Sequence, residues 1–328
     1  MCKSTSESTV ISKKGIEGEE KEFFLYSIQR QQQLKLRIIY RGTTYFCLFM
    51  VFWILVLPSS ALQDVNIHPV LNHARDEFFN YSTFLPQKLS QKFSGQYVIH
   101  LTHILPAALW AGIIPFQLHP MIRKKYRTLH KVFGYLFLLV CVLMSIGFVM
   151  ILRRGLLFEN FMHGDDDGEN NSNITVNTVN VEDENKKSSV KALETPLILF
   201  ITNAWFLWTA FKAVIHARNK RFELHQKYFI RHVASGIWVS IQRNLIMWIY
   251  PILLILFNPR IGIFGENEKN KKNASLELVR RHLFPTAAKL GLLIAVVVSE
   301  YSIHLLDDLK RIQGRIEREV ETAKEKRN

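Results

Sequence analysis

Three ionisable side chains lie deep inside long apolar runs of this 328-residue chain. Arg243 lies within the run Phe229–Phe257, and His100 and His103 lie within Tyr97–Leu118. At 1.5 Å per residue, Arg243 and His103 would lie roughly 18 and 20 Å from the same membrane face. A polar group at that depth in hydrocarbon is costly, so each is expected to face the interior of a bundle. There it would serve either a functional site or a clamp between helices.

His100 and His103 are three residues apart, a spacing that places two side chains on one face of an α-helix. Such a pair suits a metal or haem ligand set, a proton relay, or hydrogen bonds to neighbouring helices. We expect His103 and Arg243 to face each other within the bundle. Two further residues, Arg231 and Glu300, complete the predicted intramembrane polar set, and Glu300 is placed to pair with a basic group at the interface.

A second group of histidines is predicted at or just beyond helix ends on one side of the membrane: His119, His130, His216, His225, His232 and His304. Side chains of this kind collect at membrane interfaces in any case. Neutral imidazole is also an axial ligand for haem iron and the usual proton shuttle. The three cysteines show no CxxC or Cys/His spacing, so no metal site is predicted. Hydrolytic signatures are absent as well, and no catalytic residue is assigned.

Six apolar runs are long enough to cross a bilayer, which takes about 20 residues. Because lipid offers no hydrogen-bond partner to the backbone, each must be a helix. The predicted fold is therefore an all-α bundle of six transmembrane helices. The runs are Thr44–Leu62, Tyr97–Leu118, Leu129–Leu152, Pro196–His216, Phe229–Phe257 and Leu283–Leu305.

The formal charge of +14 follows the same pattern. Basic clusters precede the first run, join the second to the third and the fourth to the fifth, and follow the sixth. The excess of Lys and Arg in cytosolic loops places all four clusters, and both termini, in the cytosol. Since the charge flanks apolar runs, we interpret it as a determinant of topology, with the bilayer and not nucleic acid as the partner.

Four sequons test this topology independently. They fall in the other three loops, at Asn80, Asn170, Asn173 and Asn273, and predict glycosylation there. The last of these loops is itself basic, so charge alone would place it inside; helix parity and the other loops favour the outside. This gives a basic N-terminal tail over 1–43, a membrane domain over 44–305 and a cytosolic tail over 306–328.

Two segments outside the spans have distinct compositions. The loop 153–194 is Asn-rich and acidic, which predicts a disordered, glycosylated insertion. The tail repeats apolar residues at three- and four-residue steps along a basic helix, a pattern suited to the membrane surface or to a protein partner. Its end, Lys324-Glu-Lys326-Arg-Asn, resembles a dilysine signal and suggests residence in the endoplasmic reticulum.

Two stretches resemble a widespread multi-pass membrane family known as a domain of unknown function. The first runs from His103-Ile-Leu-Pro to Pro115-Phe-Gln-Leu and on to Leu129-His130-Lys131-Val-Phe-Gly134-Tyr135. The second is His225-Gln-Lys-Tyr-Phe-Ile-Arg231, ending at Gln242-Arg243. The match covers roughly 97–255. Tyr228-Phe229 stands where the family has Trp-Met, and the second Arg of the first motif is absent.

The resemblance implies a site at His103, His130, His225, Arg231 and Arg243, but no agreed activity. We expect His130 and His225 to form a second polar group at the cytosolic end. Three functions stay open. The first is a haem-binding or redox membrane protein that carries haem b on His103, His130 and His225. It is loosely similar to transmembrane cytochrome bundles. The second is a proton-coupled carrier with an anion site at His103 and Arg243. The third is a structural or assembly protein whose polar residues lock helices together.

Overall fold

The computed structural model describes residues 5–56, 93, 95–156, 181–257 and 266–325, and these form seven helices without a strand. The predicted all-α membrane fold is confirmed. The helices are α1 (Thr5–Val56), α2 (Tyr97–Leu118), α3 (Pro120–Lys125), α4 (Arg127–Arg153), α5 (Val181–Arg218), α6 (Phe222–Phe257) and α7 (Glu266–Glu325).

Five helices are long and apolar enough to cross a membrane: Phe23–Leu55 in α1, Tyr97–Leu118, Arg127–Arg153, Pro196–Arg218, and Leu283–Thr322 in α7. Among the described residues, α6 does not meet the same measure. Side chains in α6 are described only up to Ile249 and at Ile252, so the apolar end of its run is not covered by this measure. With 36 residues it would extend about 54 Å, enough to span. The sixth span and the cytosolic termini therefore stay predictions.

Several helices extend beyond the apolar runs. The helix α1 begins at Thr5, within the segment assigned to a tail, and α7 continues to Glu325. The helix α5 begins at Val181, inside the segment 153–194 that the sequence assigns to a loop. Hydropathy locates only the part of a helix that lipid must cover, so polar extensions escape it.

Local sequence explains where the helices stop. His119 has an extended backbone, as expected before Pro120, and it separates α2 from α3. The chain leaves α4 through Gly155, whose φ of 64° is left-handed. It leaves α5 through Lys220, whose φ is 57°. Arg221 N–H donates to the His216 carbonyl and Lys220 N–H to that of Ala217, the hydrogen bonds of a Schellman motif.

The chain divides into two compact units, one of residues 1–42 and 297–328, the other of residues 43–296. The second unit carries the core, in which α2, α4, α5 and α6 bury apolar side chains; these include Trp110, Ile114, Phe137, Val140, Phe206 and Ile237. Apolar side chains on other faces of the same helices are exposed, among them Leu109, Leu139, Phe200 and Trp248. Such faces are compatible with contact to lipid.

Candidate functional site

His232 lies at the centre of the core and is 0% exposed. The indole N–H of Trp110, on α2, donates to its Nε2 over 3.0 Å. The thiol sulfur of Cys141, on α4, lies 3.4 Å from the same nitrogen. On the other side of the ring, Nδ1 donates to the carbonyl oxygen of Phe206, on α5, over 2.9 Å. One imidazole thus connects four helices.

These partners fix the protonation of His232. A carbonyl oxygen accepts only, so Nδ1 carries the proton, and Nε2 must then accept from the indole. Aromatic rings surround the imidazole, with centroids 4.4 Å away at Phe206 and 5.0 Å away at Phe137. Since both nitrogens are occupied, His232 is a neutral clamp between helices and has no free nitrogen for a ligand.

Gly236, one turn after His232 on the same face of α6, makes room for this arrangement. A Cβ built there would lie 2.4 Å from the Trp110 ring and 3.1 Å from that of Phe206. The indole can therefore lie against the α6 backbone only because residue 236 has no side chain. The sequence interpretation placed His232 among the interfacial histidines. The run His232-Val-Ala-Ser-Gly236, rich in small residues, was the available signal for close helix packing.

A band of polar side chains follows in the middle of α6. Ser240 donates to the Phe46 carbonyl over 2.7 Å, and Asn244 accepts from the Tyr45 hydroxyl over 2.9 Å, so both bond to α1. Gln242 donates to the Phe284 carbonyl on α7 over 3.1 Å. We call Ser240, Gln242 and Asn244 the polar band. Each member has a hydrogen-bond partner on a neighbouring helix.

Arg243 lies within this band but is held differently. Its guanidinium carbon is 4.7 Å from the ring centroid of Phe284 and 5.6 Å from that of Trp53, which places it between α7 and α1. Both distances are within the range of cation–π attraction. Its Nη1 is buried and has no hydrogen-bond partner among the described residues. The ring faces stabilise the positive charge without satisfying that donor.

His100 and His103 lie in a π-helical segment, His100–Ile104, inside α2. Leu105 N–H donates to the His100 carbonyl, five residues back, and the next residue, Pro106, has no N–H to offer. The predicted shared face of the two histidines assumed α-helical spacing. The wider π turn changes their relative direction, which the sequence pattern could not show.

The His103 ring packs against α4. Its Nδ1 donates to the Met144 carbonyl over 2.9 Å, and a Cβ at Gly147 would lie 2.7 Å from the His103 Cβ. Arg243, in contrast, is held by Trp53 and Phe284. The contacts of the two side chains thus involve different neighbours, and a direct His103–Arg243 pair stays a prediction.

A second polar group lies where α4 and α6 begin. His130, on α4, is within electrostatic range of His225 and Arg123. His225, on α6, is within range of Arg123 and of His216, on α5. We call these four residues, His130, His216, His225 and Arg123, the histidine cluster. The structure thus brings together the two residues, His130 and His225, that were expected at this end of the bundle.

Hydrogen bonds orient the cluster. His225 Nδ1 donates to the Ala213 carbonyl over 2.8 Å, which leaves Nε2 as its other polar atom. The ring of His216 stacks on Tyr228 with centroids 5.1 Å apart. The Nδ1 atoms of His130 and His216 are buried and have no hydrogen-bond partner among the described residues. Burial, with the positive charges of Arg123 and His216, lowers the pKa of His225, and the bond to Ala213 partly offsets this.

The remaining predicted positions have less defined surroundings. Arg231 lies half-buried on α6, and Glu300 lies half-buried on α7 in the other compact unit. Asn80, Asn170 and Asn173 lie outside the described residues. Asn273 lies within α7, in a part whose side chains are not described.

One observation supports the haem hypothesis and another opposes it. The bond from His225 Nδ1 to a backbone carbonyl is typical of a histidine that binds iron through Nε2. However, Phe137 and Phe229 are in ring contact, 5.5 Å apart, and close the gap between α4 and α6 just inward of the cluster. A haem held by His130 and His225 would compete with this pair for space. Among the described residues, no three His, Cys, Asp or Glu side chains converge on a possible metal site.

Comparisons of the chain with protein-family models, curated proteins and solved structures give no match.

Proposed function

We propose that this multi-pass membrane protein is a carrier that binds an anion at Arg243. The observation that supports this best is the buried Nη1 of Arg243, which has no hydrogen-bond partner among the described residues. Each member of the polar band around it has a hydrogen-bond partner on a neighbouring helix. An unsatisfied cationic donor in a framework of satisfied polar groups is what an anion site requires before its ligand binds.

The free-energy cost of burying Arg243 favours an anion site over a purely structural clamp between helices. An Arg at a helix centre costs about 2.5–3.5 kcal/mol on insertion scales. A desolvated cation–π contact returns about 2 kcal/mol, so Trp53 and Phe284 together are enough to offset that cost. They cannot satisfy Nη1, and a buried unpaired donor costs about 1–3 kcal/mol more. A carboxylate or phosphate oxygen at Nη1 would remove this last cost.

The surroundings of Arg243 also suit a carrier. The bonds of Ser240 and Asn244 to α1 and of Gln242 to α7 fix the helix that presents the guanidinium. A Cβ at Gly291 on α7 would lie 2.9 Å from the Trp238 carbonyl, so α6 and α7 are in backbone contact. Ligand entry between α6 and α7 therefore requires these helices to separate, the kind of motion that alternating access uses. A coupling proton would have acceptors in the histidine cluster.

Thermal unfolding of the purified protein in an anion series (chloride, sulfate, acetate, benzoate) tests the proposal. Saturable stabilisation by at least one anion is expected. It should disappear in Arg243→Gln and weaken in Arg243→Lys, since Lys lacks the planar fork of donors. Lys212→Gln is the matched control, because its ammonium also lies over an aromatic ring, 4.7 Å from the centroid of Trp208. Equal stabilisation of Arg243→Gln and the parent protein would exclude an anion site at Arg243.

Uptake of the same anion into proteoliposomes then distinguishes a carrier from a binding protein. Binding without uptake would retain the anion site and reject transport.

Haem binding is the second candidate, supported by the orientation of His225. A Soret band in the purified protein that is lost in both His130→Ala and His225→Ala would favour it. The test is independent of Arg243, because the guanidinium contacts none of the cluster residues in its described aromatic and hydrogen-bond contacts.

A further inference from the structure

We propose that the histidine cluster is a binding site for a phosphate group, carried either by an anionic lipid headgroup or by a soluble phosphate. This site is separate from Arg243 and does not depend on anion transport. Its basis is the convergence of four basic or imidazole side chains from four helices, two of which have buried nitrogens without a described partner.

The side chains of the histidine cluster are within electrostatic range of one another, and hydrogen bonds and ring contacts hold three of them. His225 is anchored through Nδ1 to Ala213, so a ligand meets its Nε2, which accepts from a phosphate O–H or donates to phosphate once the ring is protonated. His216 is held by its stack on Tyr228, and His130 is held through its backbone, whose carbonyl accepts from the Gln117 amide over 3.1 Å. Arg123 is exposed and can approach a ligand from the aqueous side. Three imidazoles and one guanidinium would form the cage for such a ligand.

Phosphate suits this cage better than a metal ion does. Arg123 acts on both His130 and His225, and His216 acts on His225; basic groups gathered in this way repel a cation. A phosphate presents three acceptor oxygens and a charge of about −1.5 to −2, enough for an Arg and two imidazoles at once. It would also accept from the buried Nδ1 atoms after a small ring adjustment.

The surroundings explain why a lipid headgroup is one of the two sources. The cluster lies at the end of the predicted spans, where a membrane surface is expected. Further basic residues flank it on α3, on α4, at the end of α5 and in the α5–α6 turn: Lys124, Lys125, Arg127, Lys131, Arg218, Lys220 and Arg221. Their field raises the local concentration of any anion, including anionic lipid on the predicted cytosolic face. These flanking residues attract anions in general, whereas the histidine cluster would select phosphate.

The test uses the full chain and compares Arg123→Gln with Lys124→Gln. Both substitutions remove one positive charge from an exposed side chain of α3, but only Arg123 belongs to the cluster. Binding is measured by calorimetry with inorganic phosphate in detergent. It is also measured by retention of phosphatidic acid or a phosphoinositide in nanodiscs, against phosphatidylcholine alone. His225→Asn is a second variant, because the amide of Asn can keep the bond to the Ala213 carbonyl.

We expect Arg123→Gln and His225→Asn to weaken binding about tenfold or more, and Lys124→Gln to change it less than about threefold. Binding of free phosphate in detergent would support a soluble ligand. Binding only to the anionic nanodiscs, with the same pattern among the variants, would support a lipid headgroup. The proposal is overturned if Lys124→Gln loses as much affinity as Arg123→Gln, which would mean diffuse surface charge, or if neither probe binds. Arg243→Gln should bind phosphate here as the parent protein does, so failure of this proposal is distinguishable from failure of the anion site at Arg243.

Discussion

Trp110 on α2 donates its indole N–H to Nε2 of His232 on α6, over 3.0 Å and across 122 positions of sequence. The bond makes the imidazole an acceptor at Nε2 while Nδ1 donates to the Phe206 carbonyl. Hydrogen bonds of this kind in the core favour one arrangement of the four helices. A shift of one helix along another would leave the Trp110 indole and the His232 imidazole without partners.

Trp110→Phe tests that bond because it keeps an aromatic ring and removes the donor. The Nε2 of His232 would retain only the weak thiol donor of Cys141, 3.4 Å away. We expect a loss of about 1–3 kcal/mol in the free energy of unfolding, measured by denaturation in mixed micelles. Trp208→Phe, at an exposed tryptophan of α5, is the control and should change little. Equal stabilities of the two variants would show that the indole bond contributes nothing.

Gly236→Ala tests the close approach of Trp110 to α6. The added Cβ would lie 2.4 Å from the indole, so the ring must move and the bond to His232 must lengthen. A destabilisation of about 1–3 kcal/mol is expected from overpacking. Gly134→Ala is the matched control, since nothing lies within 4 Å of its Cβ position on α4. That change should stabilise the helix by about 0.5–1 kcal/mol. A lower melting temperature for Gly236→Ala and a higher one for Gly134→Ala, each relative to the parent protein, would support the close contact between Trp110 and α6.

The sequence predicts the membrane helices well and the hydrogen-bond partners of His232 poorly, for a physical reason. Apolar run length is a local property, and lipid forces such a run to be helical. The sequence, by contrast, places His232 near a helix end, because the predicted run begins at Phe229. In the structure α6 begins at Phe222, so His232 lies nearly three turns inside it. Its partners come from three other helices, and spacing along one helix cannot reveal them.

The two candidate sites, the histidine cluster and the surroundings of Arg243, also differ in how far the sequence predicts them. The cluster around His130 and His225 could be expected because both residues lie at helix ends on one side. The π segment at His100–Ile104 could not, since a proline such as Pro106 is compatible with several local geometries. The neighbours of Arg243 could be anticipated only in kind: a buried cation needs partners, but nothing in the pattern selects Trp53 and Phe284.

Stability should depend on pH through His225. Burial and the charges of Arg123 and His216 lower its pKa in the folded protein below the ordinary value of 6.5. The unfolded chain therefore takes up the proton first as the pH falls. The stability that His225 provides is fully present above about pH 6.5 and is lost as the pH falls toward the folded pKa. Melting temperatures from pH 8 to 5 should decline less in His225→Asn; parallel curves would rule His225 out.

The topology remains a prediction and can be tested at the sequons. Asn80, Asn170, Asn173 and Asn273 should each accept glycan, because basic clusters place their loops away from the cytosol. Removing each sequon with Asn→Gln should shift the electrophoretic mobility once per site, and a glycosidase should abolish the differences. A tag at either terminus should be digested in vesicles without permeabilisation. Protection of one tag alone would mean an odd number of spans, as the five apolar helices would allow.

Replacement of both Lys324 and Lys326 by Ser tests residence in the endoplasmic reticulum. If these lysines form a retrieval signal, the variant should leave that compartment, which fluorescence microscopy of a tagged chain would detect. An unchanged distribution would reject the signal.

The turn between α5 and α6 offers a last prediction, at Lys220. Its φ of 57° is left-handed, a conformation that a side chain with a Cβ adopts at a cost of roughly 1 kcal/mol. Lys220→Gly should remove that strain, although the greater freedom of glycine in the unfolded chain offsets part of the gain. We expect a net stabilisation of up to about 1 kcal/mol, against a loss of similar size for Lys227→Gly inside α6. Because the turn positions His216 against α6, the same variant should retain phosphate binding at the histidine cluster. A destabilised Lys220→Gly would mean that the lysine side chain itself holds the turn.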